Sequence, residues 1–304
     1  MSTLRFNELR GEQVAYATER QARTFLPDRD HCPLCPTLPG GPQTEIPLQA
    51  FEIVVFDNRF PAFEPPHGTA EVVVYTEEHE GSFGALAPAR AEALMWVWRH
   101  RYEELGARED VEYVYIFENR GVEVGVTLHH PHGQIYGYPF IPPVPRLELA
   151  ADARLGGCAQ CVLMDREILD RERMILETSA ALAYVPFAAR WPYEVHLSMR
   201  EHRASLLDCE PDELRDLGRA LQRVVQAYDR LFDRPFPYVM AVHQAPAKRP
   251  DDGHLHIEFY PPLRTAEKLK FLAGSEQGAG TFISDVQPES AAQALRAKVE
   301  AGGA

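Results

Sequence analysis

Apolar residues recur at three- and four-residue spacing over two long stretches, residues 87–106 and 211–232. That period predicts two amphipathic helices, and Pro88 and Pro211 stand where a first helical residue tolerates proline. Short β-rich runs flank each stretch. EVVVYTEEH (71–79) precedes the first helix and VHLSMREH (195–202) the second, while VEYVYIFEN (111–119) and FPYVMAVHQ (236–244) follow them. Each half closes on a histidine-spaced strand, HHPHGQIYGY (129–138) and HLHIEFY (254–260). VFDNRFPAF (55–63) and VPFAARWPY (185–193) share an arginine–aromatic–proline step. The same order of elements thus occurs twice. It predicts an internal duplication, an α+β fold divided into residues 1–150 and 151–304.

The cysteines sharpen this repeat. Four of the five form two pairs, Cys32-x-x-Cys35 and Cys158-x-x-Cys161, with Cys209 alone. His79 follows Cys35 by 44 residues and His130 follows His79 by 51; His202 follows Cys161 by 41 and His254 follows His202 by 52. Matched spacing of thiols and imidazoles is what two tetrahedral zinc sites require. Cys32, Cys35, His79 and His130 form one set, and Cys158, Cys161, His202 and His254 the other. Four protein ligands leave no open coordination position, so both metals are expected to be structural. The chain has no apolar run long enough to span a membrane, and its first residues, MSTLRFNELR, are polar rather than signal-like. A cytoplasmic location and reduced thiols follow as expectations.

Charge narrows the partners. Lys plus Arg number 31 and Asp plus Glu 45, so the 304-residue chain carries a net charge of −14. A nucleic-acid binder needs a basic footprint, which this chain lacks. A small anionic ligand needs only a few local cations.

The sharpest motif is His130-Pro131-His132-Gly133-Gln134. Residues two apart on a strand face one side, so His130, His132 and Gln134 are expected to share a face. His130 is free to serve the metal while His132 and Gln134 meet a substrate. His129 should point the other way. These residues, with FENRG (117–121), CPLC (32–35), RWPYE (190–194), FYPPL (259–263) and KFLAGSE (270–276), resemble the galactose-1-phosphate uridylyltransferase family of the histidine-triad superfamily. The resemblance spans about residues 10–290.

It implies two tandem histidine-triad-like units, each an antiparallel sheet with a long helix. It also implies ping-pong transfer of UMP from UDP-glucose to galactose 1-phosphate. His132 falls on the family's nucleophile, and a neutral imidazole is competent at that task near pH 7. Gln134 fits a neutral donor to a nonbridging phosphate oxygen. A histidine-triad hydrolase carries a third histidine near this position, and the amide there points to transfer rather than hydrolysis. By resemblance Arg20 and Arg23 bind phosphate, Asn58 the nucleoside, Asn119 the diphosphate, and Thr127 keeps a hydroxyl for phosphate. Lys270, Phe271, Gly274 and Glu276 match the acceptor segment, and the family is commonly dimeric.

Departures matter as well. Glu148, His243 and His256 match a second metal site of better-known members, but Glu258 stands where a third histidine is expected. The Cys158 set resembles the two-zinc version of adenylyl-transferring relatives, with iron as the alternative ion for this second site. Transfer of AMP from ADP-glucose is therefore the competing expectation. Ser275 replaces an aromatic and Phe282 falls near an expected glutamine, so the acceptor sugar stays open.

Overall fold

The computed structural model describes residues 2–302. Eleven strands and five α-helices are described, and both predicted helices form. α1 spans Pro88–Gly106 and α4 spans Pro211–Leu231, each with proline in its first turn. α4 starts on a reciprocal cap between Glu210 and Glu213. Its buried side, Leu214, Leu217, Leu221, Val224, Val225 and Tyr228, follows the helical period. α1 buries Leu94, Met95, Trp98, Tyr102 and Leu105. The two helices pack against each other at Gly218. A Cβ there would sit 3.1 Å from the Ala91 carbonyl and the Met95 side chain, so only glycine allows this approach unstrained.

A short hairpin, β1 (Thr3–Asn7) and β2 (Glu12–Tyr16), opens the chain. The remaining strands are β3 (Val54–Asp57), β4 (Thr69–Val74), β5 (Tyr113–Arg120), β6 (His132–Tyr138), β7 (Met174–Glu177), β8 (Ala181–Tyr184), β9 (Val195–Met199), β10 (Tyr238–His243) and β11 (His256–Tyr260). They form one nine-stranded sheet in the order β3-β4-β6-β5-β10-β11-β9-β8-β7, antiparallel throughout. Read from its two ends, the sheet repeats itself: β3-β4-β6-β5 answers β8-β9-β11-β10. α1 follows β4 as α4 follows β9. This is the duplicated α+β order expected from the sequence. The units meet at the β5–β10 seam, where Tyr238 pairs with Arg120 and Val242 with Ile116. The change-over between them contains α2 (Pro143–Leu155) and α3 (Ala159–Asp170).

One apolar core serves both units. Val73, Ile116, Ile135, Leu197, Val242 and Ile257 project from one face of the sheet against α1, α4 and α5 (Pro288–Glu300). The alternate residues face the other way, where Val72 and Val74 pack with Cys32, Leu34 and Ile46. His132 and Gln134 lie on this second face, opposite Val74 and Val72 in the ladder. Among the described residues, no helix is long and apolar enough to cross a membrane.

The structure corrects the strand limits at the metal histidines. β4 stops at Val74, before His79, and β9 stops at Met199, before His202. β6 begins at His132 and β11 at His256, so His130 and His254 precede their strands. Pro131 has no N–H for the ladder, and the His130 ring turns away so that Nε2 lies 2.8 Å from the Thr76 carbonyl. His132 and Gln134 share a strand face, whereas His130 belongs to the loop before it.

Candidate functional site

The first thiol pair sits on a short hairpin closed by a Cys35 N–H bond to the Cys32 carbonyl. It brings Cys35 Sγ within 3.4 Å of His79 Nδ1 and 3.6 Å of His130 Nδ1, with Cys32 Sγ 3.9 Å from His130 Nδ1. A tetrahedral ion with bonds of about 2.3 Å to sulfur and about 2.0 Å to nitrogen sets S···N edges of roughly 3.5 Å. All four groups are buried and their ligand atoms converge. Burial and the neighbouring Cys32 push the Cys35 thiol up to about 12, so a bound cation must displace its proton. Burial also holds His130 down, at about 4, which keeps the ring neutral as a ligand must be.

The second set repeats the first. Cys158 Sγ lies 3.6 Å from His254 Nδ1, and Cys161 Sγ lies 3.3 Å from His254 Nδ1 and 3.6 Å from His202 Nδ1. His254 Nε2 approaches the Met199 carbonyl at 2.9 Å, as His130 approaches Thr76. Such outer bonds fix the ring and leave Nδ1 for the ion. This set is less enclosed: His202 is exposed and both thiols are half-buried. The alternative trio is assembled too, with Glu148 Oε2 2.8 Å from His243 Nδ1 and His256 nearby. Burial opposes charge on His243, but Glu148 outweighs it and raises the ring to about 8. Glu258 joins this group from the next turn of the strand pattern, contacting His196 at 3.1 Å and His256 at 3.5 Å.

Beside the first set lies a cavity of about 120 Å³, lined by His132 and Gln134 together with Arg23, Asn58 and Thr127. Leu34, Phe56 and Val72 give it an apolar wall suited to a flat ring. A larger cavity of about 440 Å³ lies over β11, where Glu148, Glu194 and Glu258 line it together with Arg154, Arg190 and His243.

His132 Nδ1 lies 2.7 Å from the His130 carbonyl. A carbonyl only accepts, so the proton is on Nδ1 and Nε2 keeps its lone pair. Burial lowers the His132 pKa, with help from Arg23, against the bond to the carbonyl. The ring is thus neutral and tautomerically set, the state a nucleophile needs. Gly133 lets the strand pass: a Cβ there would stand 2.2 Å from the Tyr75 hydroxyl. Arg23 lines the cavity, and burial and then Arg20 lower its pKa. Arg20 turns instead onto the Tyr136 hydroxyl at 3.2 Å and the Phe60 carbonyl at 3.4 Å.

Asn119 lies on β5 two residues from Phe117, the ladder partner of Gln134, so it shares the sheet face but is outside the cavity lining. Lys270, Phe271, Gly274 and Glu276 do not line this cavity either. Lys270 and Glu276 form a buried pair at 2.9 Å, while Phe271 is 74% exposed. Sequence reasoning passed over Tyr136, although it continues the alternation His132, Gln134, Tyr136 along β6.

The chain is similar to known proteins in sequence and in fold. The family described as galactose-1-phosphate uridyl transferase matches in two parts, its N-terminal domain over residues 62–142 and its C-terminal domain over 153–301. A galactose-1-phosphate uridylyltransferase of Thermotoga maritima is 38% identical, covering 97% of this chain and 98% of the relative. A solved uridylyltransferase superposes with a TM-score of 0.87 at 30% identity, covering 99% of both chains. An ADP-glucose phosphorylase from Arabidopsis thaliana shares the fold, with a TM-score of 0.74 at 22% identity over 97% of this chain and 99% of that one.

Proposed function

The chain belongs to the galactose-1-phosphate uridylyltransferase family, and on that premise we propose that it moves UMP from UDP-glucose to galactose 1-phosphate through a covalent intermediate on His132. The single observation that carries this reading is the Nδ1 bond to the His130 carbonyl, which leaves the Nε2 lone pair of His132 free beside Gln134.

In the first step Nε2 attacks the α-phosphorus. The N–P bond forms as the bond to the bridging oxygen breaks, and glucose 1-phosphate leaves as an anion. His132 becomes cationic as the adduct forms, and the His130 carbonyl, accepting from Nδ1, stabilises that charge. Gln134 donates an amide N–H to a nonbridging oxygen, where charge must be held. Arg23 supplies a positive charge at the cavity wall. In the second step a phosphate oxygen of the hexose phosphate attacks the same phosphorus, the N–P bond breaks, and neutral His132 returns. Splitting one displacement into two lets a single site serve both sugar phosphates in turn.

Zinc is the ion assigned to both Cys2His2 sets. At the first it would be held by Cys32, Cys35, His79 and His130 and would supply a rigid tie between the hairpin and the start of β6. Lys270, Phe271, Gly274 and Glu276 keep their acceptor role in this reading only if a second copy of the chain presents them, so a homodimer is part of it. Intact-mass spectrometry after mixing with UDP-glucose or ADP-glucose, without acceptor, tests the proposal. A UMP-sized adduct that His132→Ala removes is the expected result. An AMP-sized adduct would replace uridylyl with adenylyl transfer, and no adduct from metal-replete protein would overturn the covalent route.

A further inference from the structure

Gln134 ends in an amide with two different faces, and only the NH2 face can donate to phosphate. Two chains of hydrogen bonds, which meet at Arg20 through its bond to the Phe60 carbonyl, decide which face meets the cavity. The first starts at a backbone donor. Phe60 N–H donates to Asn58 Oδ1 at 2.9 Å, which turns Asn58 Nδ2 toward Gln134 at 3.4 Å. Nδ2 is a donor, so Gln134 must answer with Oε1.

The second chain starts at a guanidinium, which has no acceptor. Arg20 Nη1 donates to the Tyr136 hydroxyl oxygen at 3.2 Å, so the hydroxyl proton points elsewhere, and Gln134 Oε1 lies 3.3 Å away to receive it. The Tyr136 ring is held by edge contacts to Phe117 and Phe63, with centroids 4.8 and 5.6 Å apart. Both chains end on the same oxygen. A flipped amide would face two donors with its own NH2 and forfeit both bonds.

We propose that Tyr136, backed by Arg20, is a positioning residue that keeps the Gln134 N–H aimed at the transferring phosphoryl group. The proposal rests on the reading that Gln134 donates to phosphate. A double-mutant cycle separates the two. The rate of His132 uridylylation by UDP-glucose is measured in single-turnover mode for the parent, Tyr136→Phe, Gln134→Ala and the double variant. Tyr136→Phe is expected to slow adduct formation about tenfold with little change in UDP-glucose affinity, and to cost nothing further once Gln134 is alanine.

A Tyr136→Phe rate within twofold of the parent overturns the proposal. So does an equal loss in both backgrounds, the mark of a packing role alone. If Gln134→Ala itself leaves the rate unchanged, the reading of Gln134 fails, and this inference with it. Phenylalanine keeps the ring contacts. Should that variant not fold, Arg20→Met goes through the same cycle. Arg20→Met is expected to lose less on the Gln134→Ala background than on the parent, and equal losses again overturn the proposal.

Discussion

β6 and β11 are built alike and do different things. In each, the second histidine lies 2.7 Å by Nδ1 from the carbonyl of the histidine two before it: His132 on His130, and His256 on His254. In each, a tyrosine hydroxyl reaches the residue two before it, Tyr136 to Gln134 and Tyr260 to Glu258. The strands part at that middle residue. Gln134 is neutral, its oxygen is taken up by Asn58 and Tyr136, and its N–H is left for a cavity. Glu258 is an anion ringed by His196, His243 and His256, which hold its pKa well below the usual range against the effect of burial. One backbone frame therefore supports either a neutral amide facing a small cavity or a cluster of a carboxylate with three imidazoles. The charge of a single side chain decides which.

This comparison can be broken at its histidines first. His132→Ala should lower transfer by about 10⁴-fold or more and abolish the adduct. His256→Ala should still form the adduct, as intact mass would read; its loss in a folded protein would mean that the strands are not divided as described. Next, Gln134→Glu gives β6 the charge of β11. Turnover should fall about 10²- to 10³-fold, and near-normal turnover would sink the donor role.

A third test lies beneath the site. Glu118 on β5 is buried, and burial raises it to about 7 despite Arg120, Tyr238 and Tyr75. Its counterpart in the repeat is Val242 on β10, since Phe117 faces Gln134 as Ala241 faces Glu258. A carboxyl with a raised folded pKa keeps its proton longer in the native state. Its contribution is whole below the unfolded pKa of about 4.5 and is lost as pH rises through about 7. The loss is on the order of 3 kcal/mol. Urea denaturation between pH 5 and 8 should show stability falling from this group, and Glu118→Gln should flatten the slope. The smallest effect is an order of events. Under a chelator, the half-exposed Cys158 set should release its ion before the buried Cys32 set, and the adduct rate should fall only with the second release. Metal analysis, starting from about two ions per chain, would follow both.

Both helices, the doubled order of elements and both Cys2His2 sets were legible in the sequence. So was the shared strand face of His132 and Gln134. These features rest on local period or on rare residue types at repeated spacing. What was not legible depends on contacts far apart in the chain. The β5–β10 seam joins residues more than a hundred positions apart, and nothing in either strand's alternation names its partner. The strand ends at His79 and His130 are set by bonds to Thr76 and by Pro131, not by apolar period. Arg20 reads as a phosphate ligand from its position, but its place beneath Tyr136 requires the fold. Lys270 and Glu276 satisfy each other within their own loop, which their spacing alone does not reveal.

The seam has a consequence for solubility. β5 has eight residues and β10 six, and in a half standing alone each would expose a row of unpaired backbone donors and acceptors. Joined, they cover each other. The outermost strands that remain, β3 and β7, have only four residues each. Each unit thus caps the longest adhesive border of the other. A chain cut between β6 and β7 should yield two fragments that stick, first to one another and then to copies of themselves.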